Sequence, residues 1–168
     1  MTESLSDERI REALDTLEVD YLTSRHGHPY ALFDETGERP ALGALVTGSD
    51  GVLALSVNPH VPTSHVPADC LAAFCNRWNN SCRWPTASIG NRPNGTSRLD
   101  VRANTVILGG IDDQQLAATL RVHLDGAKVF TRRLGELARN TDWVLDDQLL
   151  GALLADADTT RGVPEPEV

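Results

Sequence analysis

The sequence predicts an α+β fold in which helices pack against an antiparallel sheet, in the order α-β-β-β-α-β-β-α. Two observations support this prediction. Alternating apolar segments adjoin the turn dipeptides Asp50-Gly51 and Asn94-Gly95, a pattern typical of antiparallel hairpins. Amphipathic segments with helical spacing stand before, between and after the hairpins. At 168 residues the chain is long enough for one domain with its own core.

The chain begins with a predicted helix and a β-rich stretch. Ser6 can cap the helix, and Asp7 and Glu8 suit the positive end of the helix dipole. Spacings of four and three give the helix one apolar stripe, formed by Ile10, Leu14 and Leu17. Residues 19–25 and 29–34 are rich in β-forming side chains, and they are interpreted as an extended segment or a hairpin.

The strands that follow show clear alternation of apolar and polar residues. On either side of Asp50-Gly51 the apolar positions are Leu42, Ala44, Val46, Leu53, Leu55 and Val57. The clearest half-buried strand comes later, where Leu99, Val101 and Ala103 alternate with Arg98, Asp100 and Arg102. We expect the polar face of this later strand to meet water. Residues 58–62 hold two prolines and are expected to be irregular.

Two further helices are predicted. The first begins near Pro67 and has an apolar face made of Leu71, Phe74, Cys75, Trp78 and Cys82. Because Trp84 precedes Pro85 and is biased toward extended geometry, this helix should end near Ser81 or Cys82. The second is a long helix capped by Asp112 or Asp113, and its stripe consists of Leu116, Leu120, Leu124, Ala127, Phe130, Leu134 and Leu137.

The domain organisation follows from this pattern. Residues 1–138 are expected to form a single domain, and residues 139–155 a short leucine-rich helix that docks on the body or on a second copy. Residues 156–168 are acidic and contain proline, and we expect them to be disordered.

Composition narrows the class of partner. A net charge of −9 and a pI near 4.9 disfavour nucleic acid and anionic lipid, which need clustered basic residues. No apolar run reaches the length of a membrane helix, and the N-terminus has neither a basic nor an apolar region. We therefore expect a cytoplasmic protein whose partner is another protein or a small molecule.

Catalytic and metal-binding motifs are missing from the sequence. It has neither the G-x-S-x-G pattern of serine hydrolases nor the G-x-x-x-x-G-K phosphate loop, so we expect no enzymatic activity and no cofactor. Cys70, Cys75 and Cys82 are interpreted as small buried hydrophobes. The alternative is a zinc site that combines Cys70 with His60 and His65, although the spacing matches no familiar pattern of ligands. His26 and His28 are interpreted as part of a solvated turn.

The most informative stretch runs from residue 74 to residue 85, where a helix leads directly into a strand. Its candidate residues either define the fold or contact a partner, and they are Asn76, Trp78, Asn79, Trp84 and Pro85. Trp78 shares a stripe with core residues, which favours a place in the core. Trp84 is open between the core and a groove or dimer contact. The two asparagines are expected to bond backbone groups at the helix end.

The Asn-x-Trp-Asn pattern at residues 76–79, followed by Trp84-Pro85 and a strand, resembles the YbjN family. The resemblance covers residues 5–137. It implies a fold like that of type III secretion chaperones, and often a homodimer that holds an extended segment of another protein. Members are labelled "putative sensory transduction regulators", which implies a regulatory role without naming a reaction.

Three hypotheses for function follow. The first is a non-enzymatic cytoplasmic protein-binding module, acting in a chaperone-like or regulatory manner as a homodimer. The second is a small-molecule sensor or an unrecognised enzyme with a pocket between the sheet and the long helix. The third is a structural subunit that docks through its last helix.

Overall fold

The computed structural model describes residues 4–33, 42–49, 51–91 and 97–139. The helices are Asp7–Thr16 (α1), Ala68–Ser81 (α2) and Asp113–Arg139 (α3). The strands are Tyr21–Thr23 (β1), Pro29–Phe33 (β2), Leu42–Ser49 (β3), Val52–Pro59 (β4), Thr86–Asn91 (β5) and Ser97–Val106 (β6).

The α+β class with an antiparallel sheet is confirmed. The observed order has one strand more than the expected order. For the β-rich stretch the sequence allows either an extended segment or a hairpin, and the structure has the hairpin β1–β2. At three residues, β1 is too short to show the alternation that identifies a strand in sequence. Four strands therefore precede α2.

The six described strands form one sheet in the order β1-β2-β3-β4-β6-β5. Each neighbouring pair is antiparallel, as where Val57 lies opposite Val101 between β4 and β6. The chain leaves the sheet after β4, forms α2, and returns at the far edge as β5 before β6 inserts beside β4. This return places α2 next to β5.

One face of the sheet, the inner face, forms the core with the helices. Its buried strand residues are Ala31, Phe33, Ala44, Val46, Leu53, Leu55, Val57, Ala87, Val101 and Ala103. The helices contribute the predicted stripes, including every predicted apolar residue of α3. Trp78 and Phe130 meet edge to face at the centre, with ring centroids 5.1 Å apart. These aromatic contacts join α2 to α3 over the sheet.

Helix α1 has the predicted start. The Ser6 hydroxyl accepts a hydrogen bond from the Arg9 backbone N–H at 3.3 Å. The Arg9 guanidinium reaches the start of α3, donating to the Ile111 carbonyl at 2.6 Å and pairing with Asp113 at 2.6 Å. These contacts tie α1 to α3.

Helix α3 is capped by Asp112, whose carboxylate accepts the Gln115 backbone N–H at 2.8 Å. The helix ends at Arg139. The predictions for the C-terminal helix and the acidic tail concern residues that lie outside the described part of the chain, which ends at residue 139. The turn predicted at Asn94-Gly95 also lies outside them. Among the described helices, none has the length and apolarity needed to cross a membrane.

Candidate functional site

Trp78 is a core residue. Its side chain is 1% exposed, and its indole Nε1–H donates to the Pro85 carbonyl at 2.6 Å. The indole thus binds α2 to the segment that leads into β5. The hydrogen bond satisfies the one polar group of a large buried side chain, as buried tryptophans require.

Asn79 occupies the outer edge of β5. Its side-chain amide donates to the Ala87 carbonyl at 2.7 Å and accepts the Ala87 N–H at 2.9 Å. These backbone groups of Ala87 point away from β6, because β5 is the last strand of the sheet. At this one residue Asn79 therefore stands in for a neighbouring strand, and it occupies the backbone groups of Ala87 that another chain would pair with.

Trp84 and Pro85 pass directly beneath α3. The peptide bond between them is cis, and Pro85 is buried. The half-buried Trp84 ring packs edge to face against His123, with centroids 5.1 Å apart. A Cβ added to Gly126 would lie 2.8 Å from the Trp84 carbonyl oxygen, so α3 can approach this closely only because residue 126 is glycine.

His123 is the buried polar side chain at this contact. It is 1% exposed, and its Nε2 lies 2.7 Å from the Thr105 hydroxyl. Its Nδ1 is buried and has no hydrogen-bond partner among the described residues. Burial lowers the pKa of His123, because a charged imidazolium loses hydration there.

The structure brings together four of the five predicted junction residues. Trp78, Asn79, Trp84 and Pro85 join α2, β5 and α3, whereas Asn76 is exposed and its side chain makes no hydrogen bond to another described residue. The Arg83 guanidinium lies 5.9 Å from the centre of the Trp84 ring, toward solvent. The junction is therefore built mainly of contacts within the chain.

The opposite, outer face of the sheet is uncovered in the described part of the chain. Residues paired across antiparallel strands point to the same face, so Leu22, Tyr30 and Leu45 form one row. Leu22 is 60% exposed, and Tyr30 and Leu45 are half-buried. We call the apolar side chains on this face the outer-face patch, which consists of Leu22, Tyr30, Leu32, Leu45, Val52 and Val106.

The outer face changes character across the sheet. Most apolar side chains of the outer-face patch lie on β1 to β3, whereas Val52 and Val106 pair with each other on β4 and β6. A Cβ on Gly43 would collide with the Tyr30 ring that lies over it. On the far side, β6 presents Arg102 and Asp100, which form an ion pair at 2.8 Å. Sequence reasoning missed this patch. The signal in the sequence that could have revealed the patch is the apolar character of the outward-facing residues in β1 to β3, which alternate with the residues that enter the core.

The cysteines and histidines show no shared site. Burial raises the pKa of Cys75 to about 11, which leaves its thiol protonated and weakly nucleophilic at neutral pH. His28 lies 2.9 Å from the Asp7 carboxylate, and His65 Nε2 lies 2.7 Å from the Ala138 carbonyl. Within the described ranges, no group of three His, Cys, Asp or Glu residues is placed to hold a metal ion.

A small cleft lies between the end of α1, the end of β2 and the middle of α3. Its volume is about 190 Å³. We call it the α1–α3 cleft, and its lining consists of Leu17, Val19, Phe33, Arg121, Leu124, Asp125 and Lys128. It lies between the sheet and the long helix, where the second functional hypothesis expects a pocket.

The comparisons with known proteins agree with this architecture. The YbjN family model, described as "putative bacterial sensory transduction regulator", matches residues 6–136. The crystal structure of YbjN, "a putative transcription regulator from E. coli", superposes with a TM-score of 0.61 at 16% sequence identity. That alignment covers 81% of this chain and 96% of the E. coli chain, so the two share a fold. No curated protein matches the sequence.

Proposed function

The chain belongs to the YbjN family, and from this membership we propose that it is a regulatory protein-binding module without an enzymatic reaction of its own. The family description and that of the E. coli relative both name regulation, sensory in one case and transcriptional in the other. A regulator that does not act by catalysis works by binding. The question is then which surface of this chain is available to a partner.

The observation that carries the proposal is the outer-face patch. In the described residues, helices cover the inner face of the sheet and leave the outer face open. Leu22 at 60% and Val106 at 66% exposure are among the most exposed large apolar residues described. Contiguous exposed apolar surface beside polar residues is typical of protein interaction sites.

We place the partner segment on this outer face. The apolar half over β1 to β3 can bury side chains of an extended segment, and the polar half around Arg102 can pair with its backbone or charged groups. The junction at Trp84 is less suited to the role, because its aromatic rings are engaged within the chain. We also propose a homodimer as the working unit.

Site-specific photocrosslinking tests the proposal. A photoreactive phenylalanine analogue replaces Tyr30 on the outer face or, as the control, Val122, which is 49% exposed on α3. In living cells, we expect the analogue at position 30 to form a crosslink to one host protein. We expect the analogue at position 122 to form no crosslink to that protein. Leu45→Glu should abolish the crosslink, with circular dichroism confirming the fold.

Two outcomes would contradict the proposal. Equal crosslinking at positions 30 and 122 would show that the partner does not bind preferentially at the outer face. A product at twice the chain mass of 18.2 kDa, with no second protein, would assign the outer face to a second copy instead.

A further inference from the structure

The last described helix ends close to the outer-face patch. The final turn of α3 lies beside the connection that follows β4, where the Ala138 carbonyl is 2.7 Å from His65 Nε2. Strand β4 ends at Pro59, which is paired with the first residue of β3, and the outer-face residues Leu32 and Tyr30 stand at this same end of the sheet. The chain therefore leaves α3 at the end of the sheet where this part of the patch lies.

The residues that follow α3 include a strongly apolar segment. Seven of the twelve residues at 143–154, which we call the leucine segment, are Trp, Val or Leu. Leu145, Leu149 and Leu153 recur at every fourth position, so they share one stripe in the helix that the sequence predicts here. Positions 142, 146 and 147 are aspartates, and residues 140–160 include no Lys or Arg. The leucine segment therefore combines apolar side chains with negative charge.

The outer face has the complementary properties. Leu45 and Arg102 lie in one row across the sheet, because both are paired with Ser56 of β4. Neighbouring strands are roughly 4.8 Å apart, so the two residues of this row are about 10 Å apart, which is the width of one helix. On the outer face of the described strands the charged residues are Arg98, Asp100 and Arg102, whose sum is positive in a chain of net charge −9. One acidic, apolar segment can therefore cover both the leucine and the arginine of this row.

The connection to the leucine segment is long enough to pass around the sheet. Packed layers of secondary structure lie roughly 10 Å apart, so a segment on the outer face is about 20 Å from α3. Residues 140–148 span up to about 30 Å when extended, which brings Leu149 and the leucines after it within reach of the patch. A tethered segment has an effective concentration on the order of millimolar at such a site, so even a weak intrinsic affinity is enough for docking.

We propose that the leucine segment folds back onto the outer-face patch of its own chain. Its leucines cover Leu22, Tyr30 and Leu45 and remove them from water, and its aspartates lie toward Arg102. A partner then reaches the patch only by displacing the leucine segment, so the chain competes with its own partner. The folding back needs no partner, whereas this competition rests on the proposed function.

Photocrosslinking of the purified full chain tests the contact. The photoreactive phenylalanine analogue replaces Tyr30 or, as the control, the exposed Val122 on α3. An equal mixture of unlabelled and isotopically heavy chains is irradiated, and mass spectrometry identifies the linked peptides. We expect position 30 to link to residues 143–154, with both peptides light or both heavy, as a contact within one chain requires. Position 122 should give no such link.

A matched pair of variants tests the leucines themselves. Leu149→Asp should lower the yield of the link from position 30 about tenfold, because burial of one leucine contributes at least that factor to the docking equilibrium. Val163→Asp makes the same kind of change beyond the leucine segment and should leave the yield unchanged. Both positions lie outside the described fold, and circular dichroism checks that each variant is folded.

Four results with the purified chain would overturn the proposal. Linked pairs of one light and one heavy peptide would assign the patch to the leucine segment of a second copy. Equal yields from positions 30 and 122 would show random collisions of a tethered segment. Equal yields in the two aspartate variants would show that the leucines do not make the contact. An absence of links between position 30 and residues 143–154 would leave the patch without this occupant.

The competition is tested separately in living cells. With the analogue at position 30, Leu149→Asp should raise the yield of the crosslink to the host protein, and Val163→Asp should leave it unchanged. An unchanged yield in both variants would contradict the competition. A host crosslink without the link inside the purified chain would overturn the folding back alone, whereas the reverse result would contradict the proposed function alone.

Discussion

At the scale of single residues, polar side chains carry the contacts that join distant parts of this fold. Asn79 satisfies both backbone groups of Ala87. His123, which is distant in the sequence from Thr105 and Trp84, contacts both of them. Each replaces water or a neighbouring strand at a point where backbone or side-chain groups would otherwise be unpaired. Removal of the Asn79 side chain should therefore cost more than its exposed position suggests.

Replacement of Asn79 by alanine should lower the free energy of unfolding by about 1 to 2 kcal/mol, because two hydrogen bonds to Ala87 are lost. Asn80→Ala is the matched control, since it makes the same change in the same helical turn at an exposed position. The control should change stability by less than about 0.5 kcal/mol. Urea unfolding measures both, and equal effects would show that the Asn79 bonds contribute nothing.

The buried His123 predicts a specific pH dependence. Its pKa is lowered on folding, so near and below its ordinary value of about 6.5 the unfolded chain binds more protons than the folded chain. Stability should therefore be complete above about pH 7 and should fall as the pH drops below about 6.5.

Urea unfolding at about pH 5.5 and 7.5 tests this in the wild type and in His123→Gln. The other four histidines are common to both proteins. A difference between the two proteins in how the free energy of unfolding changes with pH is therefore due to His123. We expect a smaller loss of stability at acid pH in the variant. The same loss in both proteins would show that His123 does not lose its proton affinity on folding.

At the scale of elements, α3 is placed by a close approach to the chain at Trp84. The two glycines of this helix have different surroundings. A Cβ at Gly126 would lie 2.8 Å from the Trp84 carbonyl oxygen, whereas a Cβ at Gly135 would have its nearest neighbour, on Val61, at 4.0 Å. Only the first glycine is needed for packing.

Gly126→Ala and Gly135→Ala should therefore change stability in opposite directions. Alanine at 135 should stabilise the helix by about 0.5 to 1 kcal/mol through its higher helix propensity. At 126 the same gain should be outweighed by an overpacking cost of about 1 to 3 kcal/mol. Chemical unfolding compares the two variants. A Gly126→Ala protein as stable as Gly135→Ala would contradict the close approach.

At the scale of the whole molecule, the sheet divides a covered face from an open one. On the β5 edge Asn79 occupies the backbone groups of Ala87, and the outer face is left free in the described part of the chain. If the outer face receives a partner, the homodimer must use another surface. The two proposals can then be separated by mutation.

Sedimentation equilibrium should give a mass near twice 18.2 kDa for the wild-type chain at micromolar concentration. Leu45→Glu should leave that mass unchanged, because Leu45 belongs to the face assigned to the partner. Val122→Glu serves as a second exposed replacement, on α3. A monomeric wild type would contradict the homodimer, and a monomeric Leu45→Glu variant would move the dimer contact to the outer face.

What the sequence determined by itself is the set of elements with a local period. The stripe of α3 and the alternation around Val101 were predicted correctly, because burial of one face imprints a period of 3.6 or 2 on neighbouring residues. The family resemblance also followed from the short motif at residues 76–79, and the family match confirms it. The sequence does not decide between a hairpin and an extended segment at β1–β2, because the three residues of β1 are too few to show an alternating pattern.

Tertiary structure alone decided the contacts between residues far apart in the chain. The pairing of β4 with β6, the bond from His123 to Thr105 and the meeting of Phe33 with Lys128 have no signal in local spacing. The outer-face patch and the α1–α3 cleft depend on such contacts. A sequence pattern reports which residues are buried, but it does not report which buried or exposed residues become neighbours, because chain connections and the packing of whole elements set those distances.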